Sequence, residues 1–312
     1  MNVVINLVLP FFALVGIGYA AVRGNLIGRG GVEGINIFVF WFALPALLFF
    51  KLAETPIAEQ FDPAFILAQI SADTLTYALA MGLGFLFFSY RPAELSLLGA
   101  EASFANTGYM GIPLILGIFG DAGTLPAVMV VVLNNVVILA LTMMLLEWTS
   151  SRSGSALEGL ATALRSLLRN PLIIAIIAGF AASLLEMKLP EAASRFGALL
   201  GGAAGPCALF ALGATIAGTK GQGQWQETAF TVLMKLVIHP SLMLASMFFV
   251  FTVEPMAATI AVIMAALPIA ANVFILATQY GTHVGPVARG VLATTTLAII
   301  SVSVILSILG IG

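Results

Sequence analysis

The chain has 312 residues, 61% of them hydrophobic and only 8% charged, with a formal net charge of −2. Soluble domains carry roughly a quarter charged residues, so a soluble fold is excluded, and without a basic excess nothing points to nucleic acid. The single cysteine, Cys207, excludes an internal disulfide or a cysteine-rich metal site, and it reads as a small packing residue.

The opening MNVVINLVLPFF lacks the basic start of a cleaved signal peptide. Apolar runs predict ten membrane spans at 2–22, 32–50, 64–90, 96–119, 123–148, 171–187, 197–218, 229–252, 256–279 and 287–311. Runs of this kind can cross about 30 Å of hydrocarbon. Span 1 carries PFFALVGIGYAAV from Pro10, and span 2 carries PALLFF from Pro45. Span 3 places Asp73 roughly 14 Å deep at 1.5 Å per residue. An intramembrane charge costs at least ~2.5 kcal/mol, so Asp73 is expected to respond to protons or cations, with a hydrogen-bonded structural aspartate as the alternative.

Span 4 contains FANTGYMGIP at 104–113, which gathers Asn106, Thr107, Tyr109, two glycines and Pro113 where a plain helix would suffice. Glu101 stands near enough to the start of this span to reach the interface. Asp121 follows the span and reads from the sequence alone as a solvated loop residue. In span 5, Asn134 and Asn135 point about 100° apart on a helix, so at least one can face inward. The segment 149–170 has leucines at 157, 160, 164, 167 and 168 with Arg165 and Arg169 among them, the pattern of an amphipathic surface helix joining two halves.

Span 6 opens PLIIAIIAGFAAS at Pro171, and span 7 contains PCALFA from Pro206. In span 8, Lys235 is expected to snorkel toward water. His239, beside Pro240, is either a hydrogen-bonded packing residue or a proton carrier. Span 9 reads MAALPIAANVFILATQYG, with Pro268 in its interior and Asn272 one turn later. A proline inside a helix costs ~3 kcal/mol and frees backbone groups. Those groups cannot face lipid, so they must be buried in protein or line a wet cavity.

Two halves repeat. Gly18 follows Pro10 by the same interval as Gly179 follows Pro171, and Pro10 to Pro45 equals Pro171 to Pro206, 35 residues in each case. Five spans per half forces the halves to cross in opposite senses. This gives an all-α fold of ten transmembrane helices in two inverted five-helix repeats, 1–148 and 171–312, joined by a cytoplasmic linker at 149–170. Interrupted spans in matching positions point to a transport site, and the N-termini of their half-helices suit an anionic carboxylate. Arg23, Arg29, Arg91, Arg152, Arg165, Arg169, Lys220 and Arg289 fall on one side, against Lys51, Lys188 and Arg195 on the other. This asymmetry predicts both termini outside the cell.

NTGYMGIPLI at 106–115 resembles the fourth-span motif of the auxin efflux carrier family, the PIN-like carriers. GINIFVF at 35–41, SADTL at 71–75, ALFALGA at 208–214 and AALPIAANVFILATQYG at 265–281 match in order as well. The resemblance implies a fold similar to bile-acid symporters and sodium/proton antiporters. It implies broken spans 4 and 9 crossing at their prolines, a scaffold and dimer face from spans 1, 2, 6 and 7, and a mobile transport domain from spans 3–5 and 8–10. It implies a substrate site at Asn106, Thr107, Tyr109, Pro113, Asn134, Asn135, Pro268 and Asn272. A proton or cation support site would use Asp73, Tyr77, Asp121, Glu101 and His239. Tyr77 replaces a lysine of the plant motif and Asn134 a glutamine, departures that bear on auxin as substrate. The short central segment resembles bacterial members, whose relatives include malate and malonate permeases, and so implies a bacterial inner membrane.

The expectation is therefore a secondary carrier for a small organic anion, elevator-like, homodimeric, without a cofactor, with a proton or sodium as coupling ion. A sodium-coupled symporter of the bile-acid type is the nearest alternative, and a membrane-embedded sensor or enzyme the distant one. No HExxH, GxGD or P-loop motif favours enzyme or ATP-driven chemistry.

Overall fold

The computed structural model describes residues 2–54, 62–150, 164–165, 168–218 and 224–311. Their secondary structure is helical apart from one isolated β-bridge. In chain order the helices are α1 Asn2–Arg23, α2 Arg29–Ala53, α3 Pro63–Phe87, α4 Pro92–Ser103 and α5 Ile112–Phe119. α6 begins at Thr124–Leu133 and continues through a wider turn into Ala140–Ser150. Then come α7 Pro171–Leu184, α8 Glu191–Gly218, α9 Trp225–Val250, α10 Pro255–Ala265, α11 Ala271–Tyr280 and α12 Val284–Ile308.

Among the described residues, six helical runs are long and apolar enough to cross a membrane, and three shorter apolar helices accompany them. The linker helix expected at 149–170 falls mostly outside the described residues, as do Arg152 and Lys220. Large apolar side chains face outward, as lipid requires: Leu199 is 81% exposed and Phe249 77%.

Proline at the first helical position sets several starts, because its missing N–H is one the first turn leaves unpaired anyway. Asp62, Asn170 and Glu254 precede such prolines and accept the amides of Ala64, Leu172 and Met256, the usual action of an N-cap oxygen. Glycine allows helices to touch backbone to backbone. Gly18 of α1 lies against the Phe210 carbonyl of α8, and Gly179 of α7 lies against the Phe49 carbonyl of α2. These are corresponding contacts, since each phenylalanine stands four residues after its proline, Pro206 or Pro45.

Candidate functional site

α4 stops at Ser103, and Phe104 and Asn106 leave the helical region with ψ of 97° and 60°. α10 stops at Ala265, short of Pro268, which lacks an N–H and excludes its predecessor from helical conformation. The two unwound segments meet antiparallel at Ala105 and Ile269. Asn106 N–H donates to the Pro268 carbonyl at 2.8 Å, and Ala270 N–H to the Phe104 carbonyl at 3.0 Å. Thr294 of α12 accepts the Ile269 amide at 3.2 Å. Each broken chain thus satisfies the other's freed groups, which the membrane interior requires.

On one side of this crossing the chains resume helical form. Thr107–Gly111 makes a wide turn leading into α5, and Ala271 opens α11. First-turn amides such as those of Gly108, Tyr109 and Asn272 have no carbonyl a turn back to bond, and the aligned peptides place partial positive charge there. A cavity of about 40 Å³ lies between these two helix starts, lined by Asn106, Thr107, Tyr109, Asn135, Asn272 and apolar neighbours such as Phe40 and Leu172. The Asn106 Nδ2 is buried with no hydrogen-bond partner. The site therefore offers amide donors, amide side chains and a phenol, a donor-rich lining suited to carboxylate oxygens.

On the opposite side the chains end, and their carbonyls meet a buried polar network. Asp73 of α3 is fully buried and accepts from Gln69 and Asn134 at 3.0 Å each. Its second oxygen lies 2.9 Å from His239 Nε2. Lys235 Nζ bonds His239 Nδ1 at 2.9 Å and donates to the Ala265 carbonyl at 2.8 Å. Asn134 also donates to the Ser103 carbonyl at 3.1 Å. The ends of both α4 and α10 are thus capped, one by an amide and one by an ammonium, with Asp73 and Lys235 on either side of an imidazole. Asn134 and Lys235 both sit in wide helical turns, Asn134–Leu139 and Met234–Ile238, a local geometry frequent at functional sites.

Several expected positions change. Lys235 does not snorkel; it is 0% exposed, because Asp73 and a helix-end carbonyl neutralise it where water would otherwise be needed. Asn134 turns to Asp73, leaving Asn135 to line the cavity. Pro113 is not the crossing point: it lies within the first turn of α5, packs against Gly205, and stands outside the cavity lining. The break in span 4 comes earlier, at 104–106, whereas in span 9 it does fall at Pro268.

The proposed support residues do not form one cluster. Asp121 is exposed and paired with Lys51 on the surface. Tyr77 bonds Ser96 at 2.7 Å, and Glu101 sits apart from Asp73, buried beside His283. Asp73 and His239 alone of that group meet. Gln69, Ser103 and His283 were not legible as site residues; each lacks a motif, and only the packing of distant helices brings them into place.

Apolar helices crossing at two interrupted segments, with a donor-lined cavity on one side and a neutralised polar network on the other, define a multi-pass membrane protein of the transporter class. The family model described as "Membrane transport protein" matches residues 3–306, and the chain belongs to that family, the family of the PIN-like auxin efflux carriers. It is 31% identical over 315 residues to the "Putative malonate transporter" of Rhizobium meliloti, covering 100% of this chain and 98% of the relative. It is 25% identical over 354 residues to "Auxin efflux carrier component 8" of Arabidopsis thaliana, covering 95% and 94%. A third relative, the "Uncharacterized transporter YfdV" of Escherichia coli, is 25% identical over 242 residues, 74% of each chain. The protein is accordingly a membrane transporter and not an enzyme.

Proposed function

We propose that the protein is a secondary active carrier of a small organic anion, a carboxylate such as malonate, bound in the cavity at the crossing. The observation that carries this reading is the convergence of two helix starts on Asn106, Asn135 and Asn272, with the Asn106 amide unpaired and buried. Carboxylates are the chemistry that free amides at helix N-termini accommodate, and the names of the malonate and auxin relatives agree with an acid.

The chain crosses the membrane ten times as two inverted repeats, 1–148 and 171–312. The corresponding Gly18–Phe210 and Gly179–Phe49 contacts support that symmetry. Spans 1, 2, 6 and 7 form a scaffold through which two copies pair. Spans 3–5 and 8–10 carry the crossing across the cell membrane as an elevator, with both termini outside. Lys235 already occupies the carbonyl end of α10, which favours a fixed internal cation over a bound sodium ion and so disfavours sodium-coupled symport.

The test is counterflow of labelled malonate, malate and indole-3-acetate in proteoliposomes. Wild type exchanges at least one of these acids. Asn106→Ala and Asn272→Ala lose exchange by roughly tenfold or more, the loss of one to two charge-assisted hydrogen bonds. Unchanged exchange in both variants overturns the site.

A further inference from the structure

A second group of ionisable side chains lies away from the crossing. Glu101, on α4 two residues before its end, is 1% exposed, and neither carboxylate oxygen has a hydrogen-bond partner. Its Oε1 is pressed against Gly290 of α12, where any side chain would collide with it. An ionised carboxylate buried without partners costs several kcal/mol, and no cation contacts this one among the described residues.

His283 Nε2 lies 3.8 Å from Glu101 Oε2 and 3.3 Å from Glu227 Oε1, and it too is buried without a hydrogen-bond partner. The chain holds His283 at φ 54°, in the left-handed region, immediately before α12. That conformation is uncommon outside glycine and is retained where the surroundings require it. Here it turns the imidazole inward between two carboxyls. Glu227 also bonds Tyr90, and the group opens into a vestibule of about 540 Å³ lined by Phe88, Tyr90, Glu94, Gln224, Glu227 and His283. Glu94 and Arg289 act electrostatically on His283 and Glu227 respectively, while Arg91 stands exposed at the start of α4. Arg91 and Arg289 mark the face that the charge asymmetry assigns to the cytoplasm.

We propose that Glu101 is a dissociable proton site within the membrane, reached from the vestibule through Glu227 and His283. Glu227 gives its proton to His283 Nε2, and the imidazolium passes it to Glu101 Oε2. Water in the vestibule then returns a proton to Glu227. Each transfer breaks one O–H or N–H bond and forms another, and the return path is the reverse. The burial that holds His283 down to about 4 keeps the ring neutral between transfers, so that its Nε2 is free to accept. Coupling of this proton to anion movement rests on the carrier reading, since Glu101 belongs to the helix that ends at the crossing.

The test is infrared difference spectroscopy of the purified full-length protein in lipid. Wild type shows a protonated-carboxyl band at neutral pH that Glu101→Gln removes. In His283→Gln the band persists, but its hydrogen–deuterium exchange slows by roughly tenfold or more, as loss of a positioned acid–base group demands. A band unchanged in Glu101→Gln, or absent from wild type, overturns the site. Equal exchange rates in wild type and His283→Gln overturn the relay. Neither readout depends on transport, so a wild type that exchanges none of malonate, malate and indole-3-acetate would refute the carrier reading alone.

Discussion

Replacing Lys235 with methionine keeps most of the side-chain volume and removes only the ammonium. In the native chain that ammonium bonds His239 at 2.9 Å and the Ala265 carbonyl at 2.8 Å, and through His239 it faces Asp73. Lys235→Met leaves Asp73 as an uncompensated buried charge, a change that costs about 3–5 kcal/mol. It also orphans the Ala265 carbonyl, worth a further ~1–3 kcal/mol. Because the two losses share one network they do not simply add, and a destabilisation of about 4 kcal/mol is expected. Asp73→Asn placed on top of Lys235→Met removes the stranded charge, so the double variant recovers ~1–3 kcal/mol relative to the sum of the singles. Thermal unfolding of the four proteins in one detergent measures this cycle. Additivity within about 0.5 kcal/mol would show that Asp73 and Lys235 do not act as a charge pair, and the reasoning about the network would fail.

The pH dependence of His283 has a definite sign. Its folded value is held to about 4 by burial, below 6.5 for the free side chain, so between these values the unfolded chain binds the proton more strongly. Stability therefore falls as pH drops from about 6.5 toward about 4, by about 3 kcal/mol in full. Melting curves across that range should show this limb in wild type and a flatter one in His283→Gln. Gly213→Val drives a side chain into the Val15 carbonyl of α1, and overpacking of this kind costs about 1–3 kcal/mol or more, read as a lower melting temperature. Asp121→Ala breaks only an exposed pair with Lys51; melting should move by less than ~1 kcal/mol, and anion exchange should stay at the wild-type rate.

Much of the architecture can be read from the chain. X-Pro pairs such as Asp62–Pro63 and Asn170–Pro171 mark helix starts by a local mechanism that packing does not alter. The unwound segments announce themselves for the same reason: Pro268 cannot sit inside a helix without freeing backbone groups, and Asn106 with its glycine neighbours disfavours one. α8 starts at Glu191, earlier than the apolar run at 197, because its first turns carry charged residues, among them the exposed Arg195–Glu191 pair. Hydropathy does not count such residues as membrane.

What could not be read depends on helix phase and on distant partners. Span 5 is apolar on all sides, so nothing in it says whether Asn134 or Asn135 faces the cavity; Asp73 of α3 decides that. Lys235 looks like a snorkelling lysine until α3 and α10 supply a carboxylate and a carbonyl. His283 lies in the polar run YGTHVG and reads as solvated, and only the closing of α4 and α9 around it produces its burial.

The claim that an organic anion sits between the two helix starts can be tested by site-directed labelling, since Cys207 is the single native cysteine. In a Cys207→Ala background, cysteines placed in turn at 172 and 271, which line the cavity without a binding side chain, and at 121 are exposed to a maleimide with and without malonate, malate or indole-3-acetate. One of these acids should slow labelling at 172 and 271 together and leave 121 unchanged. Labelling at 172 and 271 that no acid slows, or protection equal at all three positions, would refute anion binding there.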